Sequence, residues 1–321
     1  MLFRSLVRQP HCWRFLFPLA ADAEELPPEE LRDKVLQFIG EVDHVEILGT
    51  VVYRVHHRIA TEWRRGRVFL MGDAAHLITP MWALGLNTGV LDTLNLPWRL
   101  AWVMRGWADE NLLDGYAREQ RPVAAEGSGE MAEAARQYMA GRNDQTKAMA
   151  GSDWANAYTR CLLGVRLDVA GSGDWSMIKT ETEALRVGDR IPDFELHGPD
   201  GKALHIHDLT DKGFVALYFT DARRLPDLPK SALPGLCHYV VSRWDAPLDT
   251  GLREQCLLDV GDQFRKRLAC APDTVVLVRP DDHVAAILPM AAANIESIYR
   301  SIVRPGPAAA PSDGRAAGAK A

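Results

Sequence analysis

Residues 67–104 read RVFLMGDAAHLITPMWALGLNTGVLDTLNLPWRLAWVM, and this stretch decides the fold. It starts with a short apolar run, Val68 to Met71, whose length and composition are typical of a β-strand. The run ends at Gly72, and Asp73 follows directly. From Asn87 onward the apolar residues recur at helical spacing, at Leu91, Leu94, Trp98 and Ala101. The stretch therefore predicts a strand, an acidic turn and a helix.

This order of elements is typical of a ligand-binding site. The first N–H groups of a helix have no partner within the helix and lie at the positive end of its dipole, so they favour anionic or electron-rich ligand atoms. The alternative is an ordinary buried strand and helix with a capping aspartate, because a short acidic turn is by itself a common feature.

The strings GRVFLMGDAAH, GLNTG and DTLNLPWRLA, in this order, resemble the second FAD-binding motif of the flavin-dependent aromatic hydroxylases. These are the class A monooxygenases, which include p-hydroxybenzoate, phenol and 3-(3-hydroxyphenyl)propionate hydroxylases. The resemblance implies that Asp73 binds a hydroxyl of the FAD ribityl chain, and that the loop and the helix start lie beside the isoalloxazine ring. It assigns the cofactor contacts to Gly72, Asp73, Ala74, Ala75, His76, Pro80, Gly85, Leu86 and Asn87.

Two departures from the family pattern accompany this resemblance. The family has Gly-Gln-Gly where this chain has Ala83-Leu84-Gly85, and Pro97 falls inside the helical pattern, where a kink is expected.

The family also begins with a strand, a G-x-G-x-x-G turn and a helix that bind the FAD pyrophosphate, and no such glycine pattern occurs in the 321 residues. The expectation is therefore the C-terminal part of a hydroxylase, from a truncated gene, a misplaced start codon or one half of a split protein.

A second resemblance covers the C-terminal third of the chain. RVGDRIPDFEL at residues 186–196 and FVALYFT at residues 214–220 are similar to the thioredoxin-like C-terminal domain of phenol-hydroxylase-type members. The predicted class is α/β: the C-terminal portion of a Rossmann-like FAD-binding domain with a remnant of the substrate-domain sheet, followed by a thioredoxin-like α/β domain. The predicted boundaries are 1–60 for the substrate-domain remnant, 61–184 for the FAD-binding part with a helical extension, 185–304 for the thioredoxin-like domain and 305–321 for a disordered tail.

Several local predictions follow within that C-terminal third. A buried strand is expected over residues 214–220, a hairpin from residues 274–278 and 284–288, and a closing helix over about residues 291–303. His205 and His207, two residues apart, would share one face of a strand, where exposed histidines are favoured over a metal site because no third ligand is evident. The redox-active position of a thioredoxin reads Thr-Asp-Ala-Arg-Arg here, so a packing or dimerisation module is favoured over dithiol exchange.

Composition excludes several classes of protein. A net charge of -6 argues against nucleic-acid binding. No apolar run reaches the roughly 18 residues that suggest a membrane span. The five cysteines are scattered, with neither a C-x-x-C pair nor zinc spacing, which favours reduced thiols and a cytoplasmic location. The first residues are compatible with a signal peptide or a strand, and Arg14 and Pro18 favour the strand.

The first functional interpretation is an FAD-dependent monooxygenase, or a fragment of one, that hydroxylates a small phenolic substrate. As the resemblance implies, NAD(P)H is the cosubstrate and oxygen transfer passes through a flavin C4a-hydroperoxide. For His76 a local hydrogen bond is preferred to general-base chemistry, and no residue is named as catalytic. The alternatives are a non-catalytic truncated hydroxylase, acting as a binding or dimerisation module in a homodimer or with a separate N-terminal half, and a thiol-independent thioredoxin-like regulator.

Overall fold

A computed structural model describes residues 3–6, 13–17, 19, 25–40, 44–79, 84–132, 165–171, 176–177, 184–221, 233–243 and 255–304. Pro80, Ala83, most of the predicted helical extension and the predicted tail lie outside these residues. The α-helices are α1 Pro28–Ile39, α2 Leu84–Met104, α3 Asp114–Pro122, α4 Ile206–Thr210, α5 Gln263–Leu268 and α6 Ile295–Val303. The shorter helices are 3-10 turns at Gly72–Ala74, Glu110–Leu113 and Met290–Ala292, and a π-helical stretch at Val123–Ser128.

The strands fall into four two-stranded pairs and one large sheet. The paired strands are β1 Phe3–Leu6 with β2 Trp13–Leu16, β3 Arg58–Ile59 with β6 His76–Leu77, β4 Arg64–Arg65 with β5 Val68–Phe69, and β7 Val165–Arg166 with β8 Ser176–Met177. The strands of the large sheet are β9 Glu195–His197, β10 Ala203–His205, β11 Phe214–Thr220, β12 Leu236–Arg243, β13 Cys256–Asp259, β14 Thr274–Val278 and β15 Val284–Pro289. The described residues from 184 to 304, which contain this sheet, are called the C-terminal unit below.

The large sheet is mixed, with strand order β10-β9-β13-β12-β11-β14-β15. Strands β11, β12 and β13 run parallel, whereas β14, β15, β9 and β10 join them as antiparallel neighbours. All seven residues of β11 are buried, because the strand lies inside the sheet and both sheet faces are covered. The buried strand, the hairpin of β14 with β15, and the α/β class are therefore confirmed.

Alternate residues of β11 face two different hydrophobic clusters. Val215, Leu217 and Phe219 pack with apolar residues of α4 and α5, among them Phe264. The intervening residues pack with α6 and with the second half of α2, so Phe214 lies in one cluster with the tryptophans of α2. Helix α2 therefore shares a core with the C-terminal unit.

Three local predictions were wrong, each for an identifiable reason. Only Val68–Phe69 of the predicted strand is paired, because its partner is the two-residue strand Arg64–Arg65. His205 ends β10 and caps α4, which places His207 in a helix rather than on the same strand face. The closing helix begins at Ile295 instead of 291, since Asn294 caps it by accepting a hydrogen bond from the Ser297 amide at 3.0 Å.

Other predictions in this part of the chain were confirmed. The strand favoured for the first residues is present at Trp13–Leu16. Helix α2 is continuous across Pro97 from Leu84 to Met104. It is longer than its apolar spacing indicated and connects the acidic turn to the C-terminal unit.

Candidate functional site

The acidic turn follows strand β5 and consists of one 3-10 turn, Gly72–Ala74. Gly72 has φ of +54°, a left-handed conformation that glycine adopts without the steric cost of a Cβ atom. The Ala75 amide closes the turn by donating to the Gly72 carbonyl oxygen at 2.9 Å. The Asp73 side chain is exposed, and its carboxylate has no hydrogen-bond partner among the described residues. The turn thus presents a free carboxylate to solvent.

A buried carboxylate on α2 holds this turn in place. Asp92 Oδ2 accepts a hydrogen bond from the Gly72 amide at 2.9 Å and from His76 Nε2 at 2.8 Å. The side chains of Asp92 and His76 are both fully buried. A Cβ atom at Gly89 would lie 3.5 Å from Gly72 Cα, so the helix backbone and the turn are in van der Waals contact. Asp92 therefore fixes the turn to one side of the helix.

The His76 contact confirms the preference for a local hydrogen bond over general-base chemistry. With the Asp92 carboxylate as acceptor, the imidazole hydrogen lies on Nε2. The ring is inaccessible to solvent and stacks near Trp63, with 5.4 Å between ring centroids. A histidine in this position orients the turn and is not available to a substrate.

An aromatic pair supports the turn from below. Trp63 lies 5.5 Å from Tyr116 between ring centroids, and both side chains are buried. The Tyr116 hydroxyl donates to the Leu70 carbonyl oxygen at 3.0 Å, two residues before the turn begins. Burial, together with the nearby Asp92 carboxylate, raises the pKa of Tyr116, so the phenol stays neutral. The aromatic pair beside the turn is therefore buried and uncharged.

The predicted ring-side residues lie at the start of α2. Leu84 is buried, Gly85 and Asn87 are half-buried, and Leu86 is 75% exposed. A Cβ atom at Gly85 would lie 3.6 Å from the Ile78 carbonyl oxygen, so the strand after the turn runs beside the helix start. The acidic turn and the predicted ring-side residues therefore both lie at helix α2. Pro80 lies outside the described residues.

Three buried polar atoms near this site have no hydrogen-bond partner within the described part of the chain. They are His76 Nδ1, Asp92 Oδ1 and Thr79 Oγ1. Buried polar atoms in folded proteins are usually bonded to protein or ordered water. Because these three atoms are buried, the group that the turn presents to solvent is the carboxylate of Asp73. The arrangement can bind hydroxyl and amide groups, and it contains no nucleophile paired with an accessible base.

Sequence reasoning missed two features. One is Asp92, a residue of the motif whose role its sequence position does not indicate. The other is a buried network in which Arg99 and Glu119 meet Arg279 of the C-terminal unit. The sequence contains one pattern that could have indicated both features. Asp92, Asn95 and Arg99 recur at helical spacing, which places three polar residues on the buried side of α2.

Two other kinds of site are absent from the described residues. They contain no group of three or more His, Cys, Asp or Glu side chains arranged to hold a metal ion. None of their helices combines the length and apolarity needed to cross a bilayer.

Comparison with known proteins gives a family match over the site. Residues 6–128 match the family described as FAD binding domain. A putative polyketide hydroxylase from Streptomyces halstedii is 44% identical over 110 residues, which cover 34% of this chain and 20% of that protein. The pentachlorophenol 4-monooxygenase of Sphingobium chlorophenolicum is 37% identical over 178 residues, covering 52% of this chain and 32% of that protein.

A solved structure extends the similarity across most of the chain. The structure of aklavinone-11 hydroxylase, a ternary complex with FAD and aklavinone, aligns with a TM-score of 0.60 and 25% identity. The alignment covers 86% of this chain and 51% of that one. This chain therefore spans a fifth to a third of the two curated relatives and about half of the solved neighbour. The motif, the matched domain and these relatives together support a similarity to the class A flavin-dependent hydroxylases.

Proposed function

We propose that the turn at residues 72–76 and the start of α2 form the flavin-side part of an FAD site in an aromatic hydroxylase. The observation that carries this proposal is the free carboxylate of Asp73, presented on a turn that the buried Asp92 fixes to α2. An exposed aspartate on a flexible loop would not support it, because a binding group must be held in position before its ligand arrives.

The residues present fit FAD in chemical terms. The Asp73 carboxylate accepts from a sugar hydroxyl, and a charged acceptor makes such a bond stronger than a neutral one. The amides at the start of α2, including those of Leu86 and Asn87, favour an electron-rich ring edge. Ala74 contributes a small exposed side chain next to the carboxylate, whereas Ala75 packs into the core beneath it. We therefore propose Gly72, Asp73, Ala74, Ala75, His76, Pro80, Gly85, Leu86 and Asn87 as the residues of the FAD site.

When bound, FAD supplies the redox chemistry by which NAD(P)H and dioxygen hydroxylate an aromatic ring. The chain's own contribution is to orient the cofactor through Asp73 and to keep the turn rigid through Asp92 and His76. The substrate we propose is a small phenolic or polyketide aromatic, because the relatives include a pentachlorophenol monooxygenase and a hydroxylase in complex with aklavinone. A cytoplasmic location remains a prediction from the reduced cysteines.

The test is a titration of the purified chain with FAD, followed by quenching of flavin fluorescence. The variant D73A removes the carboxylate, and D73N keeps an oxygen acceptor without the charge. A hydrogen bond to a charged group contributes about 1.5–3 kcal/mol, so D73A should weaken FAD binding by about 10- to 100-fold and D73N by less. D33A is the matched control, because Asp33 is an exposed residue of α1. Equal FAD affinity of D73A and the wild type would refute the assignment of Asp73.

A second candidate function is pairing with another polypeptide, either a second copy or a separate N-terminal half. It is favoured by large exposed apolar side chains, since Leu48 is 76%, Val51 83% and Leu86 75% exposed. Sedimentation velocity of the chain over a range of concentrations tests the homodimer. A monomer at every concentration would exclude self-pairing, whereas a concentration-dependent dimer that the double variant L48S/V51S abolishes would support it.

A further inference from the structure

We propose that the C-terminal unit positions the Asp73 turn, through six buried side chains that fix α2 in place. These side chains are called the junction network, and they are Asn95, Trp98, Arg99, Glu119, Arg279 and Asp281. The inference rests on the proposed function, because it assigns to the C-terminal unit a role at the proposed FAD turn.

Glu119 is the centre of the junction network. Its carboxylate accepts two hydrogen bonds from Arg279 of the C-terminal unit, at 3.0 Å from Nη1 and 2.8 Å from Nη2. Arg99 of α2 donates to the same carboxylate from Nη2 at 2.7 Å. Glu119 and the two guanidinium groups are almost fully buried. One carboxylate of α3 therefore joins α2 to the C-terminal unit.

Asp281 makes a second connection between the same elements. Its Oδ2 accepts from the indole Nε1 of Trp98 at 3.0 Å, and its carboxylate also binds Arg279. Arg99, Arg279, Glu119 and Asp281 thus form a charge-balanced group of two cations and two anions. Such a group resists rearrangement, because separating any one member leaves an uncompensated charge in the interior.

Apolar packing keeps the rest of α2 against the C-terminal unit. Trp98 and Trp102 pack edge-on to Phe214 of β11, with ring centroids 5.4 Å and 6.2 Å away. Trp102 also donates from Nε1 to the Tyr299 hydroxyl of α6 at 3.0 Å. The second half of the helix is therefore anchored by both polar and apolar contacts.

The same face of α2 continues to the acidic turn. Asp92, Asn95 and Arg99 follow one another at three- and four-residue spacing, which places them in line along one side of a helix. Asp92 holds the Gly72 amide, whereas Arg99 holds Glu119. A helix moves as a unit over so short a distance, so a displacement at the junction network also displaces the group that fixes the turn. The geometry makes these six side chains positioning residues for Asp73.

Hydrogen exchange of the full chain without flavin tests this coupling directly. The reporters are the amides of Gly72, which donates to Asp92, and Ala75, which closes the turn. E119Q removes the central charge, and W98F removes the indole donor and part of the ring volume while keeping an aromatic ring in the core. Both variants should accelerate exchange at the reporters by about tenfold, equivalent to about 1.4 kcal/mol of local opening. W98F decides the question if E119Q does not fold.

The control is D259N, which alters a buried carboxylate of the C-terminal unit that is not a member of the junction network. Asp259 accepts hydrogen bonds from the amides of Gln263 and Phe264 at the start of α5. We expect D259N to lower thermal stability and to leave exchange at Gly72 and Ala75 within twofold of wild type. Equal acceleration in D259N, or no acceleration in W98F, would overturn the proposal. Because the measurement needs no flavin, absence of FAD binding by the wild type would refute the proposed function and leave this test intact.

Discussion

Replacement of Glu119 by glutamine is the perturbation for which the structure gives the clearest magnitude. The substitution keeps the shape of the side chain and removes its charge, so Arg99 and Arg279 remain buried with Asp281 as their only compensating carboxylate within the junction network. It also weakens the bond at 2.8 Å that Asn95 Nδ2 donates to Oε2. The loss is therefore electrostatic rather than steric.

Two independent arguments give a similar size for this loss. Removing one partner of a buried ion pair costs about 3–5 kcal/mol in general. Burial by itself would raise the pKa of Glu119, but Arg279 and Arg99 outweigh it and lower the pKa from 4.5 to about 2. That difference corresponds to about 3 kcal/mol of folding stability. We expect E119Q to lower the free energy of unfolding by about 3–5 kcal/mol at pH 7.

The pH dependence follows from the sign of the pKa change. Because the folded pKa lies below the unfolded value, the contribution is complete above pH of about 4.5 and is lost as the pH falls towards about 2. At pH 3 the difference in the free energy of unfolding between wild type and E119Q should be less than half of its value at pH 7.

Urea unfolding at a series of pH values, monitored by tryptophan fluorescence, measures this difference. The technique suits the chain because Trp98 and Trp102 lie at the junction with the C-terminal unit and become exposed when it opens. A difference in the free energy of unfolding below about 1 kcal/mol at pH 7 would mean that the ion pairs of Glu119 contribute no more than exposed ion pairs do. That result would refute the reasoning. A difference that stays constant down to pH 3 would show that charge is not the cause.

Two further substitutions test the packing around the same helix. G235A should lower the thermal midpoint by several degrees, because Gly235 has φ of +73° and its Cβ atom would lie 2.6 Å from Trp102 Cζ2. G201A, where φ is +77° and no atom lies within 4 Å, is the control for backbone strain alone, and an equal loss in both would exclude the clash. Y116F should cost about 1–2 kcal/mol in denaturant unfolding, because the Leu70 carbonyl oxygen loses its buried donor, and an unchanged midpoint would contradict that bond.

The sequence was a good guide where local pattern and local structure agree. The apolar run at residues 214–220 became a buried strand because both faces of the sheet are covered, as its continuous hydrophobicity indicated. The hairpin of β14 and β15 was predictable because both strands and their turn lie close together in the chain. His76 makes a hydrogen bond, as the sequence favoured, but its partner Asp92 lies 16 residues further on and was not predicted.

What the sequence could not reveal depends on distant contacts. Glu119 and Arg279 are 160 residues apart, and no spacing rule relates two charges so far separated. The ends of short elements were also missed, because single side-chain contacts compete with the wider pattern: Asp208 accepts from the His205 amide, and Asn294 accepts from the Ser297 amide. The Asp73 assignment came from a family motif, and the structure adds the physical reason for its position, which is the bond from Gly72 to Asp92.

Competition for the proposed FAD site tests the central claim most directly. The residues proposed for the FAD site are suited to the ribityl chain and the flavin ring, which riboflavin shares with FAD and AMP lacks. Riboflavin should therefore compete with FAD for the wild-type chain, and AMP should not. FAD should bind saturably at one site per chain, with a change in the visible flavin absorption, and D73A should weaken FAD and riboflavin by the same factor. Absence of saturable FAD binding, or competition by AMP alone, would contradict the account.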